Sequence, residues 1–286
     1  MSTKSASRGL KRNENCVLSP RKREVRSVCS PQALVTSAFS FLSYSLLLSP
    51  TPPCAICPPS DWVEQGAPMA PVKLYGMTLS WNVTRCVAAL EEAGVEYDVV
   101  PIDFGAGEHK TPEYLARNPF GQMPVLQDGD FYVWESRAIC KYTCRKNKPE
   151  LLKEGDLNES AMVDVWLEVE AHQYTAALEP IILECLVRPM FGRATDQKTV
   201  EENLVKFKKV LEVYEAHLTR CKYLAGDFLS LADLNHVSAT ACLAATPYAS
   251  LFDAYPHVKA WWSGLMARPS VQKIAALKKP YFHNSV

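Results

Sequence analysis

Residues 118–137 read Asn118-Pro-Phe-Gly-Gln-Met-Pro124, Val125-Leu-Gln127, Asp128-Gly129-Asp130, Phe131-Tyr-Val-Trp-Glu135 and Ser136-Arg137. Pro124 to Gln127 and Phe131 to Glu135 are short runs with the composition of strands. Asp128-Gly129-Asp130 between them is a tight hairpin signal, because glycine tolerates the positive φ that such turns demand. From Ser136 to Lys146 the spacing becomes helical, so the stretch predicts strand, turn, strand, helix.

Toward the N-terminus, Val72-Lys-Leu-Tyr75 reads as a strand, followed by Gly76 and a loop ending near Ser80. Asn82 to Ala93 carries helical spacing at Val83, Val87 and Leu90, and Gly94 supplies a stop. Tyr97 to Ile102 is a second strand, and the strand, helix, strand succession is a βαβ unit, expected to be right-handed and parallel. Thr111 to Arg117 predicts a short helix. The order β-α-β-α-β-β-α over 69–147 is that of a thioredoxin-like domain. After a polar linker at 148–158, containing Pro149 and Gly155, strand signals vanish. Val200, Leu204, Phe207, Leu211, Tyr214 and Leu218 step along one amphipathic stripe. Ser230-Leu-Ala-Asp233 is a capping box, with Leu229 and Leu234 placed for a hydrophobic staple. Pro256 and Pro269 punctuate the last helices. The fold class is α/β plus all-α, a thioredoxin-like βαβαββα domain followed by an all-helical domain over 159–286.

The composition, 48% hydrophobic and 22% charged, is that of a globular chain, with Lys+Arg 31 against Asp+Glu 31. That balance gives no push toward nucleic acid or an anionic membrane. It conceals a split. Residues 1–68 hold eight basic and four acidic residues, which leaves a mildly acidic body from Met69 on. They also hold eight of the twenty prolines, and are expected to be disordered because they cannot bury enough apolar surface to offset ordering entropy. Met69-Ala-Pro-Val-Lys reads as a natural start, so the extension is either dispensable, an extension of the gene model, or a plastid, mitochondrial or secretory targeting segment. Cys54-Ala-Ile-Cys57 has CxxC spacing, but prolines crowd it and no second pair completes a zinc site.

Tyr75-Gly76, Ser80-Trp-Asn-Val-Thr-Arg85, Gly107-Glu-His-Lys110, Asn118 to Pro124, Glu135-Ser-Arg137 and Ser230-Leu-Ala-Asp233 together resemble a cytosolic glutathione transferase. The serine motif and the Glu-His-Lys segment are similar to the plant phi class. The likeness covers essentially Met69 to Pro280 and none of the extension.

The chemistry implied is activation of the glutathione thiol. A free thiol near pKa 8.5 is only about a few per cent ionised at neutral pH. Lowering it by about two units requires roughly 2.7 kcal/mol of preferential stabilisation of the thiolate. A hydroxyl hydrogen bond to a charged acceptor offers roughly 1.5–3 kcal/mol. The positive end of a helix adds about 0.3–1 kcal/mol. Ser80, where the first strand opens into a helix, is the catalytic candidate. By itself it reads first as an ordinary helix N-cap, and only the accompanying motifs reverse that reading. Relatives that transfer thiols carry Cys there, and Cys86, nearly two turns along, reads as a small core hydrophobe.

By resemblance, Glu135 and Ser136 hold the γ-glutamyl end and His109 and Lys110 the glycyl carboxylate, though the latter pair also reads as a solvated loop. Met123-Pro124 is the family's cis-proline position; if cis, it exposes the Met123 backbone to the cysteinyl unit, with Gln122 beside it. Met77, Leu79, Trp81 and Phe104, joined by Met190 and Phe191, are candidates for the apolar wall of the second substrate. Phe120 is either an aromatic key into a partner subunit or buried in its own chain. The resemblance implies conjugation of glutathione to hydrophobic electrophiles, as in detoxification of xenobiotics such as herbicides, and it admits glutathione peroxidase activity. No cofactor beyond the co-substrate glutathione, no metal and no nucleic acid are expected. A homodimer or a heterodimer with close relatives is expected, in the cytoplasm or, if 1–68 is a transit peptide, the plastid. The rival is a non-catalytic carrier of hydrophobic or pigment ligands.

Overall fold

Val72–Tyr75 (β1) alternates buried Val72 and Leu74 with exposed Lys73, the period of a strand with one face covered. The computed structural model describes residues 71–278, with side chains through Ile274. The extension over 1–68 and the Cys54–Cys57 motif lie outside the described residues. Tyr97–Val100 (β2) runs parallel to β1, with Val72 opposite Tyr97 and Tyr75 opposite Val100. Val125–Asp128 (β3) pairs antiparallel with β1, Leu74 facing Leu126. Phe131–Trp134 (β4) folds back on β3 through the Gly129-Asp130 turn. The sheet order is β2-β1-β3-β4, with the expected parallel βαβ pair and hairpin joined by the antiparallel β1–β3 pairing.

Trp81–Glu92 (α1) and Ser136–Asn147 (α3) pack together and bury Leu74 and Leu126 of the sheet. Tyr75 and Val125, one residue along each strand, point to the other face and meet Ile102 and Tyr114, the latter on Pro112–Arg117 (α2). Period-two alternation thus feeds two cores from one sheet. Helix α1 ends as Gly94 predicts. Gly94 adopts φ 66°, its N–H reaches Glu91 O at 3.2 Å, and Val95 N–H reaches Leu90 O at 3.0 Å, satisfying the last carbonyls.

The 148–158 stretch, read from sequence as a polar linker, carries structure of its own. A 3₁₀ turn at Pro149–Leu151 buries Leu151 and Leu152. Asp156 accepts N–H bonds from Asn158 and Glu159 and starts the next helix inside the expected linker. That rod comprises Leu157–Val169 (α4), a π turn at Glu170–Tyr174, Thr175–Ile182 (α5), a second π turn at Leu183–Val187, and Arg188–Met190 (α6). Gln197–Leu218 (α7) buries the predicted stripe, with Leu204 only partly covered. Leu231–Asn235 (α8), Val237–Leu243 (α9), Pro256–Met266 (α10) and Pro269–Lys278 (α11) complete the helical half. At α8 the capping box forms: Ser230 N–H donates to Asp233 Oδ2 at 3.0 Å, and Asp233 Oδ1 also accepts from Leu224 N–H and Trp261 Nε1.

Helix α1 is shared by both halves. Its outer side packs on α8, α9 and α11. Glu92 at its end accepts from Arg268 Nε at 3.1 Å and Ser270 Oγ at 2.6 Å, tying the start of α11 to the sheet domain. Within the helical core His236 is fully buried; its Nδ1 lies 2.7 Å from Ala232 O and its Nε2 2.9 Å from Tyr214 Oη. Only a protonated Nδ1 can donate to a carbonyl, so in the neutral ring that burial favours Nε2 accepts from the tyrosine. Burial pushes its pKa down to about 4 from 6.5. Below pH 6.5 the unfolded chain takes up a proton that the folded one refuses, so this residue's contribution shrinks as pH falls from 6.5 toward 4. The loss is on the order of 3 kcal/mol. Melting midpoints measured across that window should fall less steeply in His236→Asn than in the parent protein.

Candidate active site

The site forms where β1 hands over to α1. Gly76 is required there because a Cβ would meet Val83 Cγ2 of α1 at 2.6 Å. Ser80 occupies the N-cap position with extended backbone, φ −70° and ψ 124°. Its carbonyl accepts from Thr84 N–H at 3.0 Å and Thr84 Oγ1 at 3.2 Å. Its side chain makes no cap bond, so the hydroxyl is not consumed by the helix it starts. This separates Ser80 from an ordinary cap, whose oxygen is committed to an N–H of the first turn.

A cleft of about 620 Å³ opens in front of it. From the sheet domain it is lined by Met77, Leu79, Ser80, Trp81, Phe104, His109, Lys110, Gln122, Met123, Pro124, Glu135 and Ser136, and from the helical half by Met190 and Phe191. Every candidate apart from Phe120 thus lies on one cavity. Met190 and Phe191 are 60% and 64% exposed, so they form its open rim. Phe120 is 66% exposed and lies outside the cleft, so the described residues do not bury it.

The loops on the near side are fixed by backbone contacts. Lys110 Nζ donates to Phe120 O at 3.0 Å and Gly121 O at 2.9 Å. Gly121, at φ 56°, permits that approach, since a Cβ there would meet His109 O at 2.7 Å. His109 stacks on Phe104 with centroids 4.4 Å apart, and its Nδ1 is buried without a partner among the described residues. Both side chains are therefore held in place, His109 by stacking and Lys110, though exposed, by two backbone carbonyls. Tyr114 Oη and Asn118 Nδ2 both donate to Gln122 O, at 3.1 and 2.8 Å, and the Met123–Pro124 bond that follows is cis. On the far side Glu135 takes φ 67°, a left-handed conformation costly for a side-chain-bearing residue, and so turns the chain from β4 into α3 at the cleft edge.

Beneath the cleft lies a polar cluster that the sequence reading missed. Arg85, fully buried on α1, donates from Nη1 to Asn82 Oδ1 at 3.0 Å and to Ser136 Oγ at 2.9 Å, and from Nε to Asn235 O at 3.3 Å. Its Nη2 pairs with fully buried Glu170 at 3.0 Å, and Arg137 Nε meets the other carboxylate oxygen at 2.7 Å. Burial drives the Glu170 pKa up, but the Arg85 charge and the Arg137 hydrogen bond outweigh it and hold the carboxyl below its ordinary range. Two cleft-lining residues, Asn82 and Ser136, are thereby anchored to a carboxylate from the other half of the chain.

Also unanticipated are Asn118, Arg137 and Cys242 on the lining, and the wall from Ile182, Leu183, Leu186 and Val187 around the second π turn. Cys86 is fully buried against Asn82 O and Ser136 O, and burial pushes its thiol well up, as expected of a core residue.

Residues 70–145 match the model of the glutathione S-transferase N-terminal domain, and residues 174–269 that of the C-terminal domain. The chain is 74% identical over 213 residues to a probable glutathione S-transferase of Oryza sativa subsp. japonica, spanning 74% of this chain and 99% of that protein. It is likewise 74% identical over 212 residues to glutathione S-transferase 1 of Zea mays, with the same shares covered. The solved structure of maize glutathione S-transferase I in complex with an atrazine glutathione conjugate superimposes with a TM-score of 0.73, at 74% identity, over 74% of this chain and 100% of that one. Sheet, cleft and relatives agree that the chain belongs to the glutathione S-transferase family, in its plant phi class.

Proposed function

We propose that the protein joins reduced glutathione to hydrophobic electrophiles, with the Ser80 hydroxyl holding the glutathione sulfur as a thiolate. The observation that carries this is the uncommitted Ser80 hydroxyl at the start of α1, facing a cleft with one polar and one apolar side. The maize relative, whose solved structure holds a glutathione conjugate of atrazine, supports an electrophile of that apolar, haloaromatic class. In the reaction the sulfur forms a bond to the electrophilic carbon while the leaving group departs with its electron pair. Holding both reactants side by side adds effective molarity to thiolate activation.

The polar side accommodates the tripeptide from end to end. Ser136 and Glu135, at the start of α3, take the γ-glutamyl group, where helix amides favour an anion. Gln122 and the Met123–Pro124 backbone lie beside the cysteinyl unit, and His109 and Lys110 take the glycyl carboxylate. Met77, Leu79, Trp81, Phe104, Met190 and Phe191 wall the electrophile. Exposed Phe120 supports a dimer in which it enters a second subunit, and the working compartment is the cytoplasm, with the plastid as its alternative. N-terminal sequencing of the native protein decides between the two compartments. The carrier reading is disfavoured because a carrier has no use for an uncommitted hydroxyl at the thiol position.

The test is steady-state conjugation of a chromogenic aryl halide by the full chain. Lys110→Ala is expected to raise the KM for glutathione about 10- to 150-fold, the equivalent of a lost charge-assisted bond, with kcat changed only about two- to threefold. Retention on glutathione resin with no turnover by the parent protein would instead favour the carrier.

A further inference from the structure

Asn82 has an amide whose orientation is chemically forced. A guanidinium can only donate, so the atom 3.0 Å from Arg85 Nη1 must be the oxygen Oδ1. The Ser136 hydroxyl, itself accepting from Arg85 Nη1 at 2.9 Å, adds a longer donation to that oxygen at 3.5 Å. Arg85 cannot turn away, because its remaining nitrogens are fixed by Glu170 and by Asn235 O, all fully or almost fully buried. With Oδ1 committed to the buried cluster, the Asn82 Nδ2 group has no acceptor among the described residues. Asn82 lines the same cleft as Ser80, two residues further along the chain, and its Oδ1 lies 3.5 Å from Ser136 Oγ.

We propose that Asn82 Nδ2 is a second hydrogen-bond donor to the glutathione thiolate, beside Ser80, and that Arg85 is the positioning residue that aims it. This rests on the reading of Ser80 given above. An amide fixed in advance by a buried ion pair stabilises the charged sulfur without reorganising when the thiol ionises, the general advantage of preorganised donors. It also gives the Arg85–Glu170 pair a task beyond packing, since a buried pair is weak evidence for stability in its own right.

The experiment is the pH dependence of kcat/KM for the aryl halide in Asn82→Ala, Asn82→Ser, Ser80→Ala and the parent protein, with melting midpoints taken alongside. Asn82→Ala is expected to raise the pKa of the bound thiol by about 0.5–1 unit, lowering kcat/KM about 3- to 10-fold at neutral pH and recovering at alkaline pH. Asn82→Ser restores a short donor and should fall between Ala and the parent. An Asn82→Ala profile that superimposes on the parent's, or a uniform loss at every pH that tracks a lowered melting point, overturns the inference. If Asn82→Ala shifts the profile and Ser80→Ala does not, the role of Ser80 is wrong and that of Asn82 stands. A shift with Ser80→Ala alone leaves Ser80 in place and removes Asn82.

Discussion

Ser80→Ala is expected to lower kcat/KM for aryl halide conjugation at neutral pH about 10- to 150-fold, the loss of one hydroxyl bond to a charged acceptor at about 1.5–3 kcal/mol. The defect should shrink as pH rises, because the thiol then ionises without help. The melting point should hold within about 0.5 kcal/mol of stability, the usual range for changes that break no internal contact. That last expectation follows from the absence of any cap bond from the Ser80 side chain. A true N-cap would show the reverse, with stability falling by about 1 kcal/mol and the pH profile unmoved. Retention on glutathione resin should survive, since Lys110, His109 and Ser136 lie elsewhere along the cleft.

The second large effect is on folding. Glu170→Ala strands the Arg85 guanidinium, which has no exposed surface. Breaking a buried pair by removing one partner costs about 3–5 kcal/mol. For a chain of this size the melting point should drop by about 6–20 °C. Replacing both residues, as in Arg85→Met with Glu170→Met, should recover much of that loss, because two apolar groups need no solvation. Activity should not recover with it, because Asn82 and Ser136 lose the group that orients them. Thermal melts and conjugation rates on the two variants check both halves; a double variant as active as the parent would confine the pair to packing.

Those two residues also mark what the sequence hides. The hairpin at Asp128–Asp130 and the stripe on α7 were legible because local periodicity and turn chemistry determine them. The polar side of the cleft was legible because its residues cluster in short motifs at the ends of elements. Glu170 belongs to no motif. It falls in register with buried Val163, Trp166 and Leu167, a carboxylate in an apolar stripe, and that displacement was the available signal. Its partner Arg85 sits in the same way within the buried run from Val83 to Leu90. The apolar wall at Ile182, Leu183, Leu186 and Val187 was not separable from core, since a cleft wall and a packed interior use the same side chains and differ only in what lies opposite. Phe120 shows the converse: its ring is exposed, and sequence alone left open whether its own chain covers it.

Glu92 and Arg268 meet across 176 positions of chain. During synthesis at about 5–20 residues per second, roughly 9–35 s separate the appearance of one from the other. For most of that interval α1 has its sheet-side neighbours but lacks α8 and α9, and Arg85 lacks the backbone of Asn235; α11 comes only after it. The nascent first half therefore waits on the ribosome with one flank of its central helix unsealed. Its last turn closes only when the final helices emerge.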